Sequence, residues 1–289
     1  MTLDQPVSIG VIGGTGLYDM DLEHVREISV STPYGEPSDV ITIGELGGTT
    51  VAFLPRHGRG HRITPSEVPA RANIYALKQL GVQRLISVSA VGSLKEEIEP
   101  LHIVIPDQII DRTRLRESTF FGDGLVVHVQ FADPFCPELS DLLFAAIDDQ
   151  ETTVHRGGAL VVIEGPAFST RAESHLYRSW DASIIGMTAL PEAKLAREAE
   201  MCYAALTSAT DYDVWHNTQE DVSVEVVIGN LQKNAAKSRE ALRRLIPQLA
   251  TPARCDCNEA LRSSIVTAKE HVPQATLDRL GPLVAKYMN

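Results

Sequence analysis

The chain has no apolar run approaching the ~20 residues needed to cross a bilayer. Its start, Met1-Thr2-Leu3-Asp4-Gln5-Pro6, lacks the basic-then-apolar pattern of a secretory leader. Cysteine is scarce, with four in 289 residues, too few for a disulfide framework. Together these omissions make a cytoplasmic protein the expectation. Basic residues are outnumbered, 26 Lys and Arg against 38 Asp and Glu, for a net charge of −12. A chain this acidic is a poor general binder of nucleic acid or anionic membrane, so neither is an expected partner, and any anionic ligand needs a local site. Several catalytic signatures are also missing. There is no Gly-Lys-Ser/Thr P-loop, and the dinucleotide pattern Gly-x-Gly-x-x-Gly fails at Ile12. No Gly-x-Ser-x-Gly elbow supports a Ser–His–Asp hydrolase, and no His-Glu-x-x-His supports a helical metal site. Cys255-Asp256-Cys257 does not fit the Cys-x-x-Cys of zinc knuckles. It reads as an incidental pair in the tail in preference to a redox device.

What is present is an ordinary globular balance, 44% hydrophobic and 22% charged, in a length that suits one α/β domain or two smaller ones. Val7 to Ile12 is an apolar run closed by Gly13-Gly14-Thr15-Gly16, a buried strand and a tight turn. Val40–Ile43 and Val51–Leu54 flank Gly47-Gly48 as a hairpin. Thr64 and Pro65 open a helix expected to run to Leu80, with Gly81 as its stop. Strands follow at Arg84–Ser89, 103–105, 108–110, 158–163, 183–185 and 202–210. Helices are expected at Thr170–Trp180, with Glu173 completing a capping box, at 191–200 and at 223–245. Residues 256–288 read as one or two helices broken at Pro273. Alternating strands and helices give α/β, with a central, mostly parallel sheet that is mixed and barrel-like because its strands are many and short. The domain boundary falls near Thr251-Pro252, dividing 1–250 from a helical extension, 251–289.

Four segments carry chemistry. The Gly13-Gly14-Thr15-Gly16 turn is either a backbone cradle for an anion or a plain turn. Arg56-His57-Gly58-Arg59-Gly60-His61 sets four potential cations in six residues, which is either an oxyanion grip or a solvated basic loop. Glycines 58 and 60 rule out a helical His57/His61 metal pair. Ser89-Ala90-Val91-Gly92-Ser93 ends a strand, where α/β sheets bind ligands. Thr210-Asp211-Tyr212-Asp213 ends another, and its two carboxylates either bind a metal, act as acid and base, or cap the next helix. Met187-Thr188 offers an apolar contact and a hydroxyl, or is simply a strand end.

The order and identity of these segments resemble the methylthioadenosine phosphorylases within the purine nucleoside phosphorylase family. The resemblance is carried by Ile9–Leu17, Arg56-His57-Gly58 with His61, Ala72-Asn73-Ile74, Ser93-Leu94 and Asp107-Gln108. It continues in Pro134–Pro137, Ile163–Pro166 with Phe168-Ser169, Met187-Thr188 with Pro191-Glu192, and Ala209–Trp215, and it spans about residues 8 to 248. It implies a nucleoside phosphorylase-like fold and phosphorolysis of S-methyl-5′-thioadenosine to adenine and 5-methylthioribose 1-phosphate, in purine and methionine salvage. Phosphate would be bound by Thr15, Arg56, His57, Ser89, Ala90 and Thr188, as a cosubstrate with no metal or other cofactor. Met187 would lie against the ribose and Phe168 beside the base, with Tyr212 in the same substrate set. Asp211 would face the purine N7 and Asp213 the 6-amino group. His57 joins both carboxylates as a catalytic candidate. His61 and Ser169 match specificity positions, as does Val224. Val224, Val227 and Ile228 share one helical face, so with His128 from a neighbouring subunit they would form a 5′-methylthio pocket. A homotrimer, or a hexamer as a dimer of trimers, is implied. A 6-oxopurine or broader nucleoside phosphorylase, and a non-catalytic nucleotide-binding protein, are the alternatives. Asp at position 211, where users of 6-oxopurines carry Asn, argues for adenine.

Overall fold

The computed structural model describes residues 7–14, 17, 20–147, 152–216, 224–251 and 255–288, with 224–228 and 231 described for their backbone only. β1 (Ile9–Gly13) is uncharged and buried on both faces, as a strand inside a parallel sheet must be. The exposed strand β2 (Glu23–Ile28) pairs antiparallel with β3 (Ile41–Leu46), which turns at Gly47-Gly48 into β4 (Thr49–Pro55). Helix α1 (Ala70–Gln79) leads to β5 (Arg84–Ser93). Then come β6 (Ile103–Ile105), β7 (Gln108–Arg112), α2 (Pro137–Ile147), β8 (Val154–Arg156) and β9 (Ala159–Ile163). The last third adds α3 (Arg171–Ser179), β10 (Ile184–Gly186), α4 (Ala189–Glu198), β11 (Cys202–Asp211) and α5 (Val224–Leu245).

Eleven strands form one mixed sheet, in the order β2-β3-β4-β1-β5-β10-β9-β7. The sheet forks at β5, whose length lets it serve three neighbours. Its first part runs parallel to β1 and to β11, and its end meets β10 antiparallel at Gly92 and Ser93. β11 carries β6, and β6 carries β8. Helices cover the two faces through two apolar clusters. Ile12, Leu85, Ile74 and Leu195 belong to one, and Ile9, Val11, Ile86, Leu143 and Leu242 to the other. Successive residues of β1 and β5 thus feed opposite layers, the period-2 alternation of a strand. The fork brings the carboxyl ends of β1, β4, β5 and β11 to one rim.

Three local expectations need correction. α1 starts at Ala70, not Pro65. Thr64 does close a turn, its hydroxyl and N–H both donating to the Glu67 carboxylate. Pro69 then disfavours helical geometry at Val68, so the helix restarts beyond it. In the tail, Pro273 begins a helix, α6 (Gln274–Leu280), rather than breaking one, and short 3₁₀ turns occupy 256–259 and 269–271. Leu280, Leu283 and Val284 share a core cluster with Ile74 and Tyr75 of α1. Finally, β2, β8 and α2 were not legible in the sequence. The capping box at Thr170 is formed as expected. Among the described residues no helix is long and apolar enough to cross a membrane.

Candidate active site

A cavity of about 570 Å³ opens on that rim. It gathers Arg56, His57 and His61 from the loop after β4, Ser89 and Ala90 from β5, Phe168, Met187 and Thr188, and Asp211 from the end of β11. These are most of the residues singled out from the sequence. Thr15 and its turn partner Gly16 lie outside the described residues, although Gly14 lines the cavity. The side chains of Val224, Val227 and Ile228 lie outside them as well. Asp213, Tyr212, Ser169 and His128 are not on the cavity wall within one chain.

One end of the cavity suits an oxyanion. His57 is buried, and its Nδ1 lies 2.8 Å from the Ile63 carbonyl. A carbonyl only accepts, so Nδ1 carries the proton and Nε2 is the acceptor in the neutral ring. Burial first, then the nearby Arg56 charge, lower the His57 pKa to about 4, so the ring is neutral at pH 7. A neutral acceptor suits a protonated oxygen of a phosphate. Thr188 sits at the N-cap of α4, yet its hydroxyl makes no cap bond, which leaves it for a ligand.

The Arg56 guanidinium grips a carboxylate in the wall: Nε and Nη2 reach the two oxygens of Glu192 at 2.5 and 3.1 Å. Nη2 also meets Ser87 Oγ at 2.7 Å and the Ile12 carbonyl at 3.3 Å, and Nη1 meets the Val88 carbonyl at 3.0 Å. Both side chains are almost fully buried. The guanidinium is therefore a fixed positive centre in the wall, held by Glu192. Arg116 was missed altogether. Buried, it donates to the carbonyls of Glu164, Met187 and Leu190, joining the loops after β9 and β10. No sequence signal marks it, because its partners, the Glu164 carboxylate and three backbone oxygens among them, lie far along the chain. Gly165 beside it has φ +70°, and a Cβ there would meet Met187 Sδ at 2.6 Å, so the glycine is what lets Met187 lie in the cavity.

The other end is acidic. The register of β11 on β5 slips at Thr210, a bulge that turns Asp211 into the cavity. Asn230 and Asn234 of α5 donate to the carbonyls of Thr210 and Ala209, satisfying the backbone that the bulge disturbs. Thr210 Oγ1 donates to Asp211 Oδ2 at 2.7 Å, and the Asp213 N–H to Oδ1 at 2.8 Å. Burial still raises the Asp211 pKa above its usual value. Gly92 has no Cβ because one would sit 3.0 Å from Asp211 Oδ1. Ser208 Oγ and Asn234 Oδ1 also line the cavity, buried and with no partner among the described residues.

Asp213 stands behind that wall, its Cβ against Gly92, which lines the cavity. At Asp213 (φ +50°) the chain turns into a 3₁₀ segment, Asp213–Trp215, held by Trp215 Nε1 on the Ser93 carbonyl. The Tyr212 hydroxyl points to the Glu96 carbonyl and its ring stacks on His216. Burial, and then the charge of Asp211, raise the Asp213 pKa from 3.8 to about 6, with nearby Ser174 opposing. A group raised on folding stabilises the protein below its unfolded pKa and loses that contribution as pH rises through the folded value. The loss here falls between pH 3.8 and about 6. Asp213→Asn, which keeps tolerance for positive φ, is therefore expected to have a higher Tm than the parent at about pH 8, a gap that closes near pH 4. Thermal melts at the two pH values check this, and a variant less stable at the higher pH contradicts it.

Residues 8–247 match the model of the phosphorylase superfamily. An S-methyl-5′-thioadenosine phosphorylase of Geobacter sulfurreducens is 55% identical over 97% of this chain and 99% of its own length. A methylthioadenosine phosphorylase from an Antarctic soil metagenomic library has a crystal structure with TM-score 0.92, 52% identical over 96% of this chain and 99% of that one. A variant of the adenosine/methylthioadenosine phosphorylase of Schistosoma mansoni, in complex with methylthioadenosine, superposes with TM-score 0.82 at 36% identity, covering 89% and 96% of the two chains.

Proposed function

The chain belongs to the phosphorylase superfamily, and from that membership we propose that it cleaves S-methyl-5′-thioadenosine with inorganic phosphate, giving adenine and 5-methylthioribose 1-phosphate. The observation that carries this reading is a single cavity with oxyanion donors at one end and a buried carboxyl of raised pKa at the other. The enzyme is a pentosyltransferase of purine and methionine salvage and uses phosphate as a substrate, with no cofactor. Breaking the C1′–N9 bond leaves an oxocarbenium-like sugar and an anionic purine. Phosphate beneath C1′, set by Ser89, Ala90, Thr188 and His57 beside the Arg56 charge, supplies nucleophile and countercharge. Neutral His57 accepts a phosphate O–H at Nε2. Asp211, its pKa raised by burial, is the group placed to donate at N7 as the base departs. Asp213 acts through Asp211, whose Oδ1 its N–H holds.

Residues 1–250 form the catalytic domain and 251–289 an extension packed on it; the shared core cluster supports that division. The trimeric reading rests on resemblance, as does a 5′-methylthio pocket built from Val224, Val227 and Ile228 with His128 of a neighbour. The four unpaired cysteines support a reducing, cytoplasmic setting. Incubating the protein with S-methyl-5′-thioadenosine is expected to release adenine only when phosphate is present. Equal release in phosphate-free buffer would mean a hydrolase. Light scattering of the active preparation is expected at three times the 31.5 kDa chain mass; full activity at the monomer mass contradicts the trimer.

A further inference from the structure

All four cysteines of the chain meet at one place. Cys136 immediately precedes α2, Cys202 opens β11, and Cys255 and Cys257 begin the tail. Their sulfurs all lie within 4.8 Å of one another. Cys255 Sγ is 3.2 Å from that of Cys202 and 3.6 Å from that of Cys136. Cys136, Cys202 and Cys257 are buried. A tetrahedral ion with metal–sulfur bonds of about 2.3 Å needs sulfurs about 3.8 Å apart, so the cluster is already close to that size.

We propose that Cys136, Cys202, Cys255 and Cys257 form a structural site for one zinc ion. The donor set decides the ion. Four sulfurs with no carboxylate or imidazole favour a soft or borderline metal in a closed tetrahedron over magnesium, calcium or manganese. On binding, the four thiols release their protons to solvent and four thiolate–zinc bonds form, with no change of oxidation state. The surroundings suit the resulting negative charge. The Leu139 N–H points at Cys136 Sγ from 3.5 Å, and the positive end of α2 begins at the next residue. The backbone holds the ligands in place: Cys136 N–H donates to the Tyr203 carbonyl and Cys202 N–H to that of Gln83. Arg84 draws the tail toward them by donating to the carbonyls of Leu249 and Thr251. A second cavity, lined by Pro137, Cys255, Asp256 and Cys257, gives an ion a way in. Cys202 and Asp211 are opposite ends of one ten-residue strand, about 30 Å apart at ~3.3 Å per residue, so the ion serves the fold and not the chemistry. On this reading Cys255 and Cys257 are no incidental pair, while the chemistry still needs no cofactor beyond phosphate.

The test needs no activity. Protein purified without chelator is expected to hold about one zinc per chain by elemental analysis. Reduced, metal-stripped protein loaded with Co²⁺ is expected to show the visible ligand-field bands of tetrahedral tetrathiolate cobalt. The Cys255→Ser/Cys257→Ser double variant is expected to lose about tenfold or more of the zinc and to melt earlier. If that variant fails to fold, zinc content and the cobalt spectrum of the parent protein decide. Iron at one per chain in place of zinc overturns the assignment. So does finding the four cysteines as two disulfides after alkylation in intact cells, or as four free thiols that take up neither Zn²⁺ nor Co²⁺.

Discussion

Asp211→Asn is expected to lower kcat/KM for S-methyl-5′-thioadenosine by about 10²–10³, the size of losing one preorganised group that stabilises a developing charge. The carboxyl is poised for this role by burial, which raises its pKa, and by Thr210 and the Asp213 N–H, which fix both oxygens. An amide keeps the shape and can still donate a hydrogen bond to N7, but it has no acidic proton to transfer. It also pairs with a 6-oxo group as readily as with a 6-amino group, so preference should move toward inosine. The pH profile separates loss of an acid from loss of a contact. A required acid of raised pKa makes the parent lose activity as pH rises through that pKa, and the variant should lack this limb. Steady-state kinetics on both nucleosides across pH provide the measurement. Unchanged turnover of S-methyl-5′-thioadenosine would remove Asp211 from the mechanism.

Glu192→Ala should cost more stability than any other single change discussed here. The Arg56–Glu192 pair is buried on both sides, and the Ser87 and Tyr203 hydroxyls also donate to Glu192 Oε2. Removing the carboxylate strands a guanidinium and leaves two buried hydroxyls short of an acceptor. Breaking such a pair costs about 3–5 kcal/mol, or a Tm lower by about 6–20 °C. Arg56 would also lose its orientation, so KM for phosphate should rise while KM for the nucleoside changes little. Glu192→Gln keeps the volume and two acceptor contacts and should fall between. A melt and a phosphate titration together are decisive: an unaltered Tm with an unaltered phosphate KM would mean the pair neither holds the fold nor sets the anion site.

The sequence made the local features legible. Gly13-Gly14, Arg56-His57 and Thr210-Asp211 each stand at a strand end, marked by a switch from apolar runs to glycine and polar residues, whereas Ser89-Ala90, read as a strand end, lie inside β5, which runs on to Ser93. What convergence depends on was hidden. Glu192 enters the sequence reading only beside Pro191 in the resemblance, with nothing that pairs it with Arg56, and Arg116 has no pattern at all, since its acceptors are carbonyls and the Glu164 carboxylate of other loops. The position of Asp213 behind the cavity wall comes from a 3₁₀ turn set by Trp215 on Ser93, a contact that spacing alone does not disclose. The cysteines show the same limit. Cys255 and Cys257 were judged by their own spacing, while the partners that give them meaning, Cys136 and Cys202, come from α2 and β11.

The forked strand also sets a timetable. β5 must join β1, made earlier, and β11, whose Cys202 pairs with Arg84 across roughly 120 intervening residues, the kind of distant pairing that folds late. During synthesis from the amino end, a ribosome that has released β5 has not yet made β11, the strand bearing Asp211, the proposed leaving-group acid. For that interval one flank of β5 is an open edge of apolar backbone, the form of chain most prone to stick to another. The nascent protein thus lacks one wall of the cavity and is at its most aggregation-prone until Asp211 emerges, and both conditions end together when β11 docks.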